Sequence, residues 1–512
     1  MKQLQHTVVE LLSRGADQSL ALGAPGAPDL NYADLRRLVI KTVATLNALG
    51  VGRNGRVAIV LPNGPEMASA FLAVAAGATA APLNPGYRLD EFEFYLKDLK
   101  ASSLIVQAGT TSPAIEAAQK LGVAVIELTP EPQQGAGHFS LALSGTTHGV
   151  LAQLAQGGFA HAEDVALILH TSGTTSRPKI VPLSQRNVVA SAANIANTLA
   201  FRELDRGLNI MPLFHIHGLI AGLLAPLSRG AYVCCTLGFN AMKFFSWMEE
   251  SRPTWYTAVP TMHQMILTRA PQNRDIIARY PLRFLRSSSS SMPVQVIDEL
   301  EAVFQAPLIE AYGMTEASHQ MCSNPLPPAA RKRGSVGVAA GPEVAIMSEA
   351  GALLPVGRTG EIVIRGGNVT AGYENNPKAN AEAYVKGWFR TGDQGVMDAE
   401  GYVCITGRLK EIISRGGEKI SPREVDEVLM DHPAILQVVT FGIPHPKLGE
   451  EVGVVVVLRE AQQATEMEIR AFAATRLADF KVPRKILFMD EIPKGATGKL
   501  QRIGLAQKLG LG

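Results

Sequence analysis

Apolar runs without polar alternation, spaced between amphipathic helical stretches, constrain this chain more than any other feature. From Asn31, NYADLRRLVIKTVATLNALG sets Leu35, Leu38, Val39, Val43, Leu46 and Leu49 on one helical face, with Gly50 placed to end it. RVAIVLPN then reads as a buried strand running into a turn, EMASAFLAVAAGATAAPLNP as a helix and a short strand, and SSLIVQ and VAVIEL as further strands. Continuously apolar strands are covered on both faces, as in parallel sheets, so a layered α/β architecture is expected. A chain of 512 residues exceeds what one core sustains, which predicts at least two domains. Residues 129–160, rich in Gly, Gln, Ser and Thr, read as surface loop.

The pattern changes at 335–408, where short strands punctuated by Gly and Pro predict an antiparallel or barrel-like subdomain. Beyond Arg408, Ser421-Pro422 followed by Glu424 and Asp426 is a helix start: a cap, a proline in the first turn, then acidic residues facing the positive end of the helix dipole. QVVTFGI and EVGVVVVLRE read as strands and TEMEIRAFAATRL as a helix, a small α+β unit. The boundary is expected at Lys410, dividing 1–409 from 410–512.

A net charge of +2 creates no broad field toward nucleic acid or membrane. The cysteines, Cys234, Cys235, Cys322 and Cys404, lack metal-ligand spacing and read as free thiols of a reducing compartment. MKQLQHTVVELLSRGADQ has no apolar signal core, and no run approaches the length of a membrane helix. A cytoplasmic protein without nucleic-acid or membrane partners is expected, as monomer or homodimer.

The strongest local motif is LILHTSGTTSRPKIVPLS, residues 167–184. An apolar strand, Val165 to Leu169, ends in small hydroxyl residues closed by Arg177, Pro178 and Lys179. Such a loop can offer hydroxyls and backbone N–H groups to phosphate oxygens, with Gly173 allowing close approach and Lys179 supplying charge. It is not a Walker A loop. A surface Ser/Thr turn explains the hydroxyls but not the cationic close. In EAYGMTE, residues 310–316, Tyr312 can stack on a base and Glu316 can hold Mg²⁺ on a polyphosphate. In GWFRTGDQG, residues 387–395, Asp393 suits ribose hydroxyls or a plain Asx turn. GRLKEIISRGGEKISP and IPKGATGKLQR, with Lys499 in its glycine-bearing loop, complete the set.

In order and wording these five motifs resemble the adenylate-forming superfamily of acyl-CoA synthetases, luciferases and adenylation domains, from NYADL to GKLQR. The resemblance implies a large N-terminal adenylation domain and a small mobile C-terminal domain. It implies a two-step reaction: a carboxylate attacks the α-phosphate of MgATP to give an acyl-adenylate and pyrophosphate, then the thiol of coenzyme A displaces AMP. Thr171, Ser172, Gly173, Thr174, Thr175 and Lys179 would cradle the β- and γ-phosphates. Tyr312, with Gly313 and Met314, would line the adenine, Thr315 would contact the α-phosphate, and Glu316 would ligate Mg²⁺. Asp393 and Arg408 would hold the ribose. Lys499 would bridge the carboxylate and α-phosphate, neutralising charge as they approach. Lys410 would be the hinge, and Gly416 and Gly417 would line the thiol tunnel. LADFKVPRKI resembles the CoA-ligase pattern, in which Phe480 and Arg484 would meet CoA. Two departures are Ile180, where many relatives carry glycine, and Val482, where some carry a basic residue.

For the acid, PLFHIHGL places His215 and His217 two apart, on one side if the segment is a strand. His217 reads equally as a core histidine. His319 follows Glu316 by three, and LRSSSSSMP adds Ser289, Ser290 and Ser291 as wall, shared between acid and nucleotide. A fatty-acid tunnel would leave these polar groups unpaired, whereas a small dicarboxylate would satisfy them. TWYTAVPTMHQMI, RFLRSSSSSM and AYGMTEASHQMCSNPLP are similar to oxalate-CoA ligases, so oxalate is the favoured acid. Malonate, aromatic and short- or medium-chain acids stay open, as do an ADP-forming phosphotransferase and a non-catalytic nucleotide-binding module.

Overall fold

The computed structural model describes residues 6–145, 156–171, 178–493 and 502–511. The expected helix from Asn31 forms over Tyr32–Ala48. The Asn31 side chain accepts from the Asp34 amide, and Leu35, Leu38, Val39, Val43 and Leu46 are buried. It packs on the helix Pro65–Gly77, which in turn lies on a sheet of seven strands, ordered Phe139–Leu143, Ala124–Pro130, Ser103–Gln107, Arg56–Val60, Thr79–Pro82, Val165–His170 and Ile180–Ser184. The five inner strands are parallel and both edge strands antiparallel. One edge corrects the expectation of surface loop over 129–160: Phe139–Leu143 pairs with Ala124–Pro130. Its Phe139 is buried while Ala142 and Leu143 are exposed, so a half-covered edge was masked by small and polar neighbours.

A second sheet of nine strands carries much of the candidate site. Its inner order is Leu308–Met314, Phe284–Ser287, Trp255–Ala258, Arg206–Asn209, Tyr232–Cys235 and Leu20–Gly23, all parallel. Tyr256, Leu285 and Leu308 join one buried cluster with Phe244, Ile266, Leu300 and Phe304 from the helices packed on that face. Strand side chains alternate. Thr257 and Arg286, cross-strand partners one residue on, therefore turn to the opposite face.

The chain packs as two compact units. The first contains both large sheets and Arg365–Ala381; the second takes Val344–Ile364 and the chain from Glu382. The second unit holds the expected antiparallel strands, among them Trp388–Met397, Val403–Arg408 and all but the last residue of Gly360–Arg365. It also holds a small α+β layer in which Ile435–His445 and Gly449–Leu458 pair antiparallel. The helix Pro422–Met430 begins where its sequence predicts, with the Ser421 side chain accepting from the Glu424 amide. Packing groups residues in one conformation, whereas a hinge is defined by two, so this division and the expected one at Lys410 answer different questions.

Among the described residues no helix is long and apolar enough to cross a membrane. The four cysteines are free, with Cys404 only half-buried. Burial pushes the Cys234 and Cys322 thiols up to about 12, which leaves them unreactive.

Candidate active site

Strand Val165–His170 delivers Thr171 to its C-terminal end, where open α/β sheets bind ligands. The Thr171 amide donates to the Lys179 carbonyl at 2.9 Å and the Lys179 amide to Thr171 Oγ1 at 3.2 Å, which joins the two residues that flank the hydroxyl-rich segment. Ser172, Gly173, Thr174 and Thr175 lie outside the described residues, as does Lys499. Lys179 Nζ stands 4.3 Å from the centroid of the Tyr373 ring. The Tyr373 hydroxyl in turn donates to Glu316 Oε1 at 2.8 Å. The segment carrying Tyr373 is strapped down by backbone bonds, Thr370 to the Glu316 carbonyl at 2.7 Å and Glu374 to the Ile180 carbonyl at 3.1 Å. Sequence reasoning missed Tyr373; its signal is an aromatic after Gly372 in a stretch otherwise polar.

Tyr312, Gly313 and Met314 end the strand Leu308–Met314, and Thr315–Ala317 turn the chain into the antiparallel strand His319–Ser323. Tyr312 is buried, Gly313, Met314 and Thr315 half-buried, and Glu316 is 6% exposed. Gly313 is required by contact: a Cβ there would lie 1.8 Å from the His319 carbonyl oxygen. The turn is strained, with Ser318 at φ 48° and His319 at φ 99°. Strain of this kind costs on the order of 1–3 kcal/mol per residue and collects at functional sites. A single carboxylate fits an oxygen-preferring ion such as Mg²⁺, which is held by one or two carboxylates plus phosphate. Among the described residues no group of three or more His, Cys, Asp or Glu could hold a metal.

On the acid side, His215 and His217 are not on a strand. A bend carries His215, whose amide donates to the Pro212 carbonyl at 3.3 Å, and His217 opens a π-helix over His217–Leu224. The wide turn brings Gly218 against Pro212, where a Cβ would lie 2.4 Å from the carbonyl oxygen. His215 is half-buried, but His217 and His319 are 2% and 1% exposed. Their rings stack at 4.8 Å between centroids, 21° from parallel. His217 Nδ1 lies 3.1 Å from Ser289 Oγ and its Nε2 2.6 Å from Thr257 Oγ1.

The residue that organises this group was not foreseen. Arg286 is fully buried. One terminal nitrogen donates to His217 Nε2 at 3.2 Å and reaches Thr257 Oγ1 at 3.5 Å. The other donates to His319 Nε2 at 3.1 Å and Gln320 Oε1 at 3.4 Å. Among the described residues its Nε has no hydrogen-bond partner and no carboxylate pairs with it. Burial lowers it to about 9, so it is cationic at neutral pH. Burial first, with the neighbouring His319 and the Arg286 cation acting in the same direction, holds His217 well below the usual histidine range. The signal was present: an arginine inside the apolar FLRS of a central parallel strand, where both faces are covered.

The serine run crosses from core to surface. Ser287 and Ser288 are buried, with Ser288 Oγ donating to the Ala311 carbonyl at 2.8 Å. Ser289 is half-buried, at a left-handed φ of 74°, and Ser290 and Ser291 are exposed. Ser289 thus sits between the buried arginine–histidine group and solvent.

In the second unit, Asp393 and Arg408 are cross-strand partners joined at 2.9 Å, with Asp393 buried and Arg408 exposed. Lys410 is exposed just beyond. Gly416 and Gly417 form the turn between Ile413–Arg415 and Glu418–Ile420. Phe480 packs at the margin of the small core, and exposed Arg484 pairs with Asp479 at 2.8 Å.

The sequence matches the AMP-binding enzyme family over residues 18–374 and the AMP-binding enzyme C-terminal domain over 424–499. It is 45% identical over 493 residues to an oxalate–CoA ligase of Arabidopsis thaliana, covering 95% of each chain. It is 42% identical to an oxalate–CoA ligase of Saccharomyces cerevisiae, covering 89% of this chain and 87% of that one. The fold matches ATP-bound MatB from Rhodopseudomonas palustris with a TM-score of 0.87 at 27% identity, over 99% of both chains.

Proposed function

Because the chain belongs to the AMP-binding enzyme family and is an AMP-forming acid–CoA ligase, we propose that its acid is oxalate. The observation that carries this reading is Arg286, a fully buried cation without a carboxylate partner among the described residues, one histidine away from half-buried Ser289. An uncompensated buried charge costs several kcal/mol, on the order of the Born penalty after relaxation, and a nearby anion offsets it. An acid that keeps one carboxylate while the other reacts supplies that anion; an alkyl or aryl tail does not. The similarity to oxalate–CoA ligases adds to the argument.

In the first half-reaction one oxalate oxygen attacks the α-phosphorus of ATP, and the bond to pyrophosphate breaks. Thr171 and Lys179, with Ser172, Gly173, Thr174 and Thr175, hold the departing phosphates in this reading. Tyr312 meets adenine, Thr315 the α-phosphate, and Asp393 with Arg408 the ribose. Glu316 would hold Mg²⁺, which when bound supplies charge neutralisation on the polyphosphate. Lys499 steadies the two anions as they approach, since such transfers depend on positioning and charge stabilisation. In the second half-reaction the small domain turns about Lys410. The thiol of CoA, led past Gly416 and Gly417 and held by Phe480 and Arg484, attacks the acyl carbon, and AMP leaves. Ser289 and His215 meet the second carboxylate, with His217 and His319 behind them.

Pyrophosphate release across oxalate, malonate, benzoate and hexanoate tests the substrate, with AMP as the expected nucleotide product. Turnover of benzoate or hexanoate with oxalate inert would sink the oxalate reading. ADP as product would point to a phosphotransferase instead.

A further inference from the structure

We propose that Arg286 is a positioning residue that locks His217 and His319 in the Nδ1–H tautomer and thereby turns the Ser289 hydroxyl outward as a donor to the acid. This deepens the oxalate reading and rests on it for the identity of the acid alone.

The argument is one of donor count. A guanidinium has five N–H donors and no acceptor, and a neutral imidazole has one donor and one acceptor. Arg286 approaches Nε2 of His217 at 3.2 Å and Nε2 of His319 at 3.1 Å. The Thr257 hydroxyl also lies 2.6 Å from His217 Nε2; Arg286 reaches its oxygen at 3.5 Å, which turns the hydroxyl hydrogen toward Nε2. Facing these donors, both nitrogens offer a lone pair in this reading, since a proton on either would meet an N–H of Arg286. In each ring the single proton is left on Nδ1. At His217 that proton points to Ser289 Oγ, 3.1 Å away. Ser289 Oγ is the acceptor of this bond, so its own hydrogen is directed elsewhere, and the half-buried side of Ser289 is the side open to a ligand. A chain of donors runs from Arg286 through His217 to Ser289, and a carboxylate oxygen, an acceptor only, is the group that ends it.

The lock is itself fixed from behind. His263 is fully buried, its Nε2 lying 3.1 Å from the Arg286 carbonyl and its Nδ1 3.0 Å from the Tyr256 hydroxyl. A carbonyl only accepts, so His263 carries its proton on Nε2 and takes the Tyr256 O–H on Nδ1. Gln320 reinforces the same orientation. Its Nε2 donates to Thr198 Oγ1 and the Ala340 carbonyl, which leaves Oε1 to receive Arg286. The left-handed φ of Ser289, 74°, is the strained conformation that holds its Oγ to His217.

The direct measurement is ¹⁵N–¹H long-range correlation on the full-length enzyme labelled at histidine, without acid. The pyrrole-type nitrogen is expected on Nδ1 of His217 and His319 and on Nε2 of His263. A pyrrole-type Nε2 on His217 or His319 overturns the proposal whatever the acid is, so its failure is separate from failure of the oxalate reading, which the acid panel decides. Arg286→Met is expected to move the His217 proton to Nε2 and to raise the KM for the acid at least tenfold while the KM for ATP changes less than twofold. Arg286→Lys, which keeps a donor, is expected to recover part of that loss. Ser289→Ala in the Arg286→Met background is expected to add less than twofold, because both changes cut one chain. Full additivity of the two, or a rise in KM with the tautomers unchanged, would overturn the relay. The measurement on the unmodified enzyme decides even if a variant does not fold.

Discussion

The hydroxyl of Tyr373 is bonded at 2.8 Å to Oε1 of Glu316 while the face of the same ring stands 4.3 Å from Lys179 Nζ. One side chain therefore fixes both the acidic and the basic group proposed to handle the triphosphate. Hydrogen bonds to charged groups contribute roughly 1.5–3 kcal/mol, or about 10- to 100-fold. Tyr373→Phe removes the bond and keeps the ring, so kcat/KM for ATP should fall by about that factor and the Mg²⁺ concentration for half-maximal rate should rise. A Mg²⁺ titration that superimposes on wild type would refute the link.

Lys499→Ala should cripple adenylation yet spare the reaction of supplied acyl-adenylate with CoA. Equal loss in both half-reactions, read by pyrophosphate release and by thioester formation, would argue against a lysine used in one pose only.

Ser289→Ala should raise the KM for the acid roughly tenfold, the worth of one hydrogen bond to a charged group, with far less effect on ATP. Steady-state kinetics with each substrate varied in turn separates the two. An equal rise in both would move Ser289 to the nucleotide side.

Asp393→Asn breaks an ion pair whose arginine is half in water. Exposed pairs are worth roughly 0–1 kcal/mol, so the melting temperature should move by only a few degrees. The KM for ATP should rise far more, because the proposed ribose contact loses one of two acceptor oxygens and its charge. A large thermal shift with unchanged ATP affinity would make the pair structural.

His263, buried between Tyr256 and the Arg286 carbonyl, is pushed down to about 4, chiefly by burial. His217 moves in the same direction. A histidine kept neutral in the folded state contributes stability that is intact above its unfolded value near 6.5 and is lost as pH falls toward the folded value. Melting temperature should thus decline from pH 6.5 to 4, and His263→Gln should decline less steeply over that window. Parallel curves would exclude His263 as a contributor.

Much of the architecture was legible because periodicity is local. The capped helix Tyr32–Ala48, the parallel strands and the proline-led helix Pro422–Met430 each follow from their own residues. Thr171 directly after Val165–His170, and Tyr312 near the end of Leu308–Met314, stand where their own segments place them. What escaped were relations across the sequence. Arg286 reads as one charge beside serines until Thr257, His217, His319 and Gln320 converge on it from three other segments. Tyr373 is 57 residues from the carboxylate it holds. The strand Phe139–Leu143 forms through pairing with its neighbour, and the histidine pair, which a strand would have set on one side, meets a π-helix that opens at His217.

Gly313 and His319 share one crowded piece of backbone, too tight for even a methyl group. Redesign of such an enzyme for bulkier acids would therefore meet a mechanical tie: moving the histidine to widen one chamber drags the rim of the other. Libraries that vary 312–314 and 319 together should yield new specificities that libraries of either segment alone do not.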